Sequence, residues 1–434
     1  MTANLITLEQ SLFANLDIDV HKVPIDKRHH YRAVKYYLTV EDEPPSDATN
    51  LEKVHRHTES LHHSCQLQAW EPVQSILSFP ICISTTTVSF SLPLCEYLIF
   101  KGLSTNLLEI TDEIIHSFQR DISDISSTKI LKARALGGTG NLPNASKIYE
   151  ELCLEFSPDS ETYIEAKAHL AMSQIQREMY QEGILNLNKA LNLIESFLDS
   201  DSELPSKSKI LELNADIIGQ LAYYEMNLGR FKEAKNLYSK ELQILEGSKS
   251  LHKLIYPLVH QGIILRKEFR IQESIESLIK ARARAIEIQD EQALVWIAHH
   301  LAWAFRLQKK YVEAQENCLI SLEGYKKIDD KRGINDSYEL LGWIYLDKGK
   351  VNDAIENFNK ALNWRKTNGV LQGAASCVMS LAIAYWRRGN LFKSVKTIFE
   401  GLNLYRKAGV LNRTRLFRVF TFARVFRNLL ISSN

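Results

Sequence analysis

Along most of the chain, apolar residues recur at spacings of three and four, the period of a helix with one buried face. The helical runs come in pairs, and the pairs repeat. In residues 338–361, YELLGWIYLDKGKVNDAIENFNKA, Leu341, Gly342, Tyr345, Gly349, Ala354, Phe358 and Ala361 hold fixed positions. Forty residues later the same frame gives Ala382, Tyr385, Gly389, Ser394, Ile398 and Gly401. Forty residues earlier it gives Ala302, Phe305, Ala314, Cys318 and Ser321. Two further steps back give Gly262, Leu265, Phe269, Ser274, Leu278 and Ala281, then Ala222, Gly229, Ala234 and Tyr238. Each unit predicts two helices joined by a turn near the position of Gly349. Small residues such as Ala222, Gly262, Ala302, Gly342 and Ala382 let helices approach closely, and Tyr345, Phe358 and Tyr385 fill the space between repeats. One such hairpin cannot bury its apolar face alone, so several must stack.

Upstream the spacing loosens. One unit is anchored by Ala171, Gly183 and Ala190, another by Ala133, Gly140, Ala145 and Tyr149. The 51-residue step from Ala171 to Ala222 implies an insertion of about 11 residues, for which 197–206 is the candidate. Leu61, Trp70 and Val73, then Leu94, Leu98, Gly102 and Leu107, suggest two degenerate units. The expected organisation is an extension over 1–50, partly ordered; degenerate helical repeats over 51–125; a repeat array over 126–410; and a basic capping helix over 411–434. The apolar window Ile76 to Tyr97 contains Pro80, Pro93 and the run Ser84-Thr85-Thr86-Thr87, and reads as a divergent, buried or loop-rich helical repeat rather than a membrane span.

Leu341-Gly342-x2-Tyr345 followed by Ala354-x3-Phe358 resembles the core pattern of the tetratricopeptide repeat family. The closing proline of that pattern is missing, and the period is 40 instead of the usual number near 34. The resemblance is to the longer-period variety found in bacterial regulatory proteins and in the C-terminal arrays of signalling ATPases. It covers 205–405 strongly and 126–200 more loosely. It implies an all-α fold, a superhelical solenoid of stacked helix-turn-helix hairpins, whose first helices line a concave groove. Carried onto this sequence, the inner positions include Tyr223, Arg266, Trp296, His299, Trp303, Arg306, Trp343, Trp386 and Arg387. Met226, Ile263, Lys267, Glu339, Leu346, Met379 and Ile383 fall on the same set. Four of the six tryptophans lie there, and Trp and Arg dominate binding hot spots. Arg266 and Arg306 would suit a carboxylate. A neighbouring helix covering the tryptophans is the alternative. The chaperone-tail clamp of this family needs Lys and Asn at several inner positions, whereas one inner position here reads Tyr223, Ile263, Trp303, Trp343 and Ile383.

Composition adds a polarity that the net charge of +1 conceals. From Asn357 onward there are 14 Lys and Arg against the single acid Glu400, a local +13, which leaves −12 on the preceding 356 residues. At the C-terminal end Leu416, Val419, Ala423, Phe426 and Leu430 form one apolar face, expected to pack on the preceding hairpin. Arg413, Phe417, Phe420, Arg424 and Arg427 form a second, basic stripe. That stripe could meet an acidic partner, the acidic half of another copy in a homo-oligomer, nucleic acid or an anionic membrane surface. Nucleic acid and membrane rank behind a protein or peptide partner.

The chemistry of an enzyme is not found. No G-x4-G-K-[ST] occurs, and Gly137-Gly138-Thr139-Gly140 falls where the frame puts a turn. No nucleophile, base and orienting group share a recognisable motif. The histidines at 29–30, 55, 57, 62–63 and 299–300 have no metal-ligand framework, and the six cysteines form no C-x-x-C pair. No cofactor, metal or catalytic residue is therefore expected. Met1 to Leu16 lacks the basic and apolar regions of a secretory leader, so a reduced, cytoplasmic setting is expected. The sequence thus reads as a non-catalytic scaffold or regulator holding a peptide or protein segment in its groove. The alternatives are a peptide-responsive signalling regulator, and nucleic-acid or anionic-surface binding through the basic end.

Overall fold

The structure is a computed structural model. It describes residues 21–408, except 41–43, 46–47, 85–88, 119–121, 178, 200–203 and 249–252, together with 12–14, 16 and 18. The expected capping helix and its basic stripe, Arg413, Phe417, Phe420, Arg424 and Arg427, lie outside the described residues.

The helices before the regular array are α1 (Arg28–Thr39), α2 (His55–Gln66), α3 (Trp70–Leu77), α4 (Leu94–Phe100) and α5 (Ser104–Ser117). Then come α6 (Ile122–Gly138), α7 (Leu142–Glu155), α8 (Glu161–Gln176), α9 (Tyr180–Leu198), α10 (Leu204–Leu228), α11 (Phe231–Ser248) and α12 (Ile255–Lys267). The last are α13 (Ile271–Glu287), α14 (Glu291–Leu307), α15 (Tyr311–Lys327), α16 (Lys331–Asp347), α17 (Val351–Thr367), α18 (Leu371–Arg387) and α19 (Leu391–Lys407). From α13 on, every helix has 17 residues, and each start lies 20 residues before the next, so the forty-residue frame is a helical hairpin.

The hairpin turn follows from the frame. Gly349 has φ +77°, and the amides of Gly349 and Lys350 donate to the carbonyls of Leu346 (3.1 Å) and Tyr345 (2.8 Å), the left-handed closure of a helix end. The small frame residue sets the helix spacing: a Cβ on Gly342 would stand 2.6 Å from the ring of Phe358, which is fully buried. Gly342→Ala should therefore destabilise the fold by about 1–3 kcal/mol through overpacking, read as a lowered denaturant midpoint at unchanged slope. A midpoint equal to that of the wild type would show that the two helices can part freely.

The chain divides into two units, 1–297 with 324–331, and 298–323 with 332–434. In the first, α8, α9 and α10 share a core of Ile164, Ile175, Leu187, Ile194, Ile210 and Ile217. The expected insertion appears as lengthened helices, α9 with 19 residues and α10 with 25. In the second unit, α16, α17 and α18 share Leu346, Phe358, Val378, Leu381 and Tyr385.

One expectation is corrected. The stretch read as a loop-rich helical repeat holds an antiparallel strand pair, β1 (Pro80–Ser84) and β2 (Ser89–Pro93), with Ile81 opposite Leu92 and Ile83 opposite Phe90. The reason is local: Ile81, Ile83 and Leu92 are buried while Ser89 and Ser91 face solvent, a period of two, and prolines bound both outer ends.

The first unit also contains a long-range clasp. Lys101 is 4% exposed and its Nζ donates to the Gln289 carbonyl at 2.5 Å. Asn50 donates to Glu291 at 2.8 Å, and the Gln292 amide donates to the carbonyl of Ile99. Gly102 (φ +74°) lies so close to Ile328 that a Cβ there would overlap its side chain. The segment after α4 thus seats on the turns before α14 and α16, all within this unit. Among the described residues, no helix is long and apolar enough to cross a membrane.

Candidate functional site

In the second unit the frame places large side chains from successive first helices in register. Trp303 on α14 and Trp343 on α16 occupy the same frame position, and both are half-buried. Between them lies the Arg306 guanidinium, 5.3 Å from the Trp303 ring and 4.8 Å from the Trp343 ring. Its Nε donates to Asp347 Oδ2 at 2.7 Å. Arg387 on α18 is exposed, donates to the Leu346 carbonyl at 2.8 Å and stands 4.0 Å from Asp347. Trp303 Nε1 donates to His299 Nε2 at 3.2 Å, and Trp343 sits edge-on to the core ring of Phe358 at 5.4 Å. Trp386 is half-buried on the same helix as Arg387. The arrangement is a ladder of alternating aromatic and cationic groups. A guanidinium between two indole faces is held by cation–π attraction and by its carboxylate. Arg306 is thus neutralised in place, and Arg387 keeps the more exposed charge.

In the first unit Tyr223, Arg266 and Trp296 are all half-buried. Trp296 meets His260 edge-on at 4.9 Å and Tyr256 at 5.7 Å, while His260 stacks on Tyr238 at 4.5 Å and lies 6.4 Å from Tyr223. These rings pack on one another. Burial pushes His260 down to about 3, so it is neutral throughout the physiological range. Burial, reinforced by Arg266, lowers the neighbouring Lys267 amine to about 8.

The first unit also gathers charges that the frame did not single out. Arg134 on α6 grips Glu96 on α4 with two bonds of 2.5 and 2.9 Å. Lys209 on α10 bridges Glu165 (2.7 Å) and Glu161 (3.3 Å) on α8, and Lys253 bridges Asp216 (3.0 Å) and Glu212 (3.3 Å) on α10. His169 stacks on Tyr149 at 5.6 Å, and burial, with Arg134 adding to it, holds it well below the ordinary imidazole range. A signal for part of this set existed. Glu165, Asp216, Tyr256, Trp296 and Asp336 each stand six residues before the small frame residue. The upstream members were missed because their spacing is irregular, and Glu96 and Arg134 precede the regular array.

At the α1–α2 contact, His30 Nδ1 and His63 Nδ1 share a 2.8 Å hydrogen bond, and His62 lies 2.6 Å from Glu113. Burial followed by His29 lowers His30, and burial followed by His62 lowers His63, so both favour the neutral ring. Among the described residues, no group of three His, Cys, Asp or Glu is placed to hold a metal ion.

Residues 336–368 match the family model of the tetratricopeptide repeat. No curated protein matches the chain in sequence. Among solved structures it is similar to a Rap protein complexed with Competence and Sporulation Factor, at 10% identity and a TM-score of 0.51, over 73% of this chain and 96% of that one. It is also similar to aspartyl phosphate phosphatase F from Bacillus subtilis, at 11% identity and a TM-score of 0.45, over 83% of this chain and 95% of that one. A Signal Transduction ATPase with Numerous Domains from Pyrococcus horikoshii, bearing a tetratricopeptide repeat sensor, gives 12% identity and a TM-score of 0.43, over 92% of this chain and 66% of that one. At 10% identity the likeness to the Rap protein is one of fold alone.

Proposed function

We propose that this chain, a protein of the tetratricopeptide-repeat type, is a non-catalytic scaffold or regulator that holds a peptide or protein segment. The segment would lie on the first-helix face of the second unit. The observation that carries this reading is the ladder of Trp303, Arg306 and Trp343, with exposed Arg387 beside it. Half-buried indoles on rigid helices offer large contact area at little entropic cost, and an arginine fixed between them needs no ordering on binding. The Rap protein of similar fold was solved complexed with Competence and Sporulation Factor, which supports a binding role by analogy of fold alone.

The test is affinity capture from native lysate with the intact chain, Trp303→Ala and Trp343→Ala as baits, followed by binding measurements on the captured protein. Each variant should weaken binding about tenfold or more while leaving the melting curve cooperative. Equal affinity for all three baits would remove the ladder from the interface. Capture that survives in both variants at low salt and vanishes as salt rises would transfer the function to the basic C-terminal end.

A further inference from the structure

Helix α1 meets α2 through a cluster of four imidazoles, His29 and His30 on α1 with His62 and His63 on α2. Ring centroids lie 3.9 Å apart for His29 and His30, 5.1 Å for His30 and His63, and 5.1 Å for His62 and His63. The 2.8 Å bond joins Nδ1 of His30 to Nδ1 of His63, so one ring donates and the other accepts. A protonated imidazole has no acceptor, so the bond survives one proton on the pair and not two. The groups facing the pair make that second proton costly. Glu113 on α5 is engaged by His62 at 2.6 Å and by Gln66 Nε2 at 3.3 Å, and Glu59 lies 3.8 Å from His55. Tyr37 stacks on His63 at 6.1 Å. His29 and Lys27, whose Nζ donates to the Gln66 carbonyl at 3.0 Å, add positive charge on the α1 side. The apolar contact is small: α1 buries two side chains, Val34 and Leu38, in a core with Leu16 and Leu67.

We propose that this cluster makes α1 an acid-released strap, which lies on α2 at neutral pH and detaches as the imidazoles take up protons. Detachment bares Val34 and Leu38 and undoes their core. The device lies wholly in the first unit and needs nothing from the tryptophan ladder. Burial first, and then the neighbouring imidazoles, hold both His30 and His63 below the ordinary value of 6.5 in the docked state. Docking is therefore at full strength above about pH 6.5 and weakens as pH falls toward the docked values. At about pH 5.5, one unit below the ordinary value, each ring that takes its proton only on release favours the released state by about tenfold. Acidification within the range of imidazole titration is thus converted into exposure of one helix.

The test is hydrogen exchange on the full chain at about pH 7.5 and about pH 5.5, corrected for the pH dependence of intrinsic exchange. The amides of 32–39 should lose about tenfold or more of their protection at the lower pH, reversibly, with those of 351–387 unchanged. In His30→Asn/His63→Asn the two amides keep a donor and an acceptor near the Nδ1 positions without a titrating group. There the difference between the two pH values should shrink to about threefold or less. Imidazole titration of the wild type by NMR decides the case in which this variant does not dock α1. His30 and His63 should then titrate in two separate steps, at least one of them below about 6. Equal protection of α1 at both pH values would overturn the proposal. So would an undiminished pH effect in the variant, or two rings that titrate together near 6.5.

Discussion

Arg365→Ala should cost the second unit about 2–4 kcal/mol at neutral pH, because it removes the buried cation that joins Asp336 and Glu339 and leaves a partly buried carboxylate pair behind. Arg365 is 7% exposed and reaches from α17 to both neighbouring helices. Its Nη2 lies 2.7 Å from Asp336 Oδ1 and 2.7 Å from Glu339 Oε2 on α16, and its Nη1 donates to the Gly373 carbonyl (3.0 Å) and to Cys377 Sγ (3.1 Å) on α18. Although burial opposes it, Arg365 holds the Asp336 carboxyl below its usual range, helped by Arg332 and His299. A carboxyl whose folded value is depressed contributes stability above its unfolded value, near 4, and loses it as pH falls. The wild type should therefore lose part of its stability below about pH 4, and the penalty of the variant should shrink there as the orphaned Asp336 carboxylate protonates. Arg365→Lys should recover only part of the loss, since a point charge cannot reproduce a planar fork with four partners. Denaturant unfolding at pH 7 and pH 4 decides the matter. A penalty below about 1 kcal/mol at pH 7 would mean that the cluster is solvated and contributes as an ordinary surface pair.

Glu241→Gln should act in the opposite sense. Glu241 on α11 is 5% exposed and its Oε2 has no hydrogen-bond partner among the described residues; the hydroxyl of Tyr238, one turn earlier, is in the same condition. The side chain fits only because Gly219 faces it: a Cβ there would stand 2.5 Å from Glu241 Oε1. Burial, then the nearby Asp216, push its carboxyl up to about 8, with Lys253 pulling the other way. A raised folded value means that the native state keeps a proton the unfolded chain has released. Stability is then complete below about pH 4.5 and declines as pH rises toward 8, by about 3–5 kcal/mol in total. The glutamine has no charge to bury, although its amide still lacks partners, a cost of about 1–2 kcal/mol. The variant should therefore be more stable than the wild type by about 1–3 kcal/mol at pH 9, and equal or slightly weaker at pH 4. Parallel stability–pH curves for the two proteins would show that Glu241 is ionised and paired in the native state.

How far these features could be read from the sequence depended on how local their causes were. The forty-residue frame placed the helices of the array and their turns because small residues, large residues and helix ends all repeat in one register. The ladder was legible for the same reason: Trp303 and Trp343 are forty residues apart, on equivalent faces. Arg365 was not, because its frame counterparts, Ala285, Tyr325 and Tyr405, are uncharged. Its role depends on partners from two other helices. The β1–β2 pair was missed for a different reason. Its period of two spans only Ile81 to Leu92, too short to outweigh the helical pattern on both sides.

The clasp of the first unit bears on how the chain is made. In a plain repeat stack each hairpin can settle on its predecessor as soon as it leaves the ribosome. Ile99 and Gln292, joined in the clasp, are 193 residues apart in sequence. At ordinary elongation rates the first waits about 10–40 s for the second. For that interval the nascent chain carries Lys101 and Gly102 bare, and the part synthesised first is the last to complete its contacts. Assembly of this unit is therefore limited by closure over a long loop, where the frame alone would give quick, neighbour-by-neighbour growth.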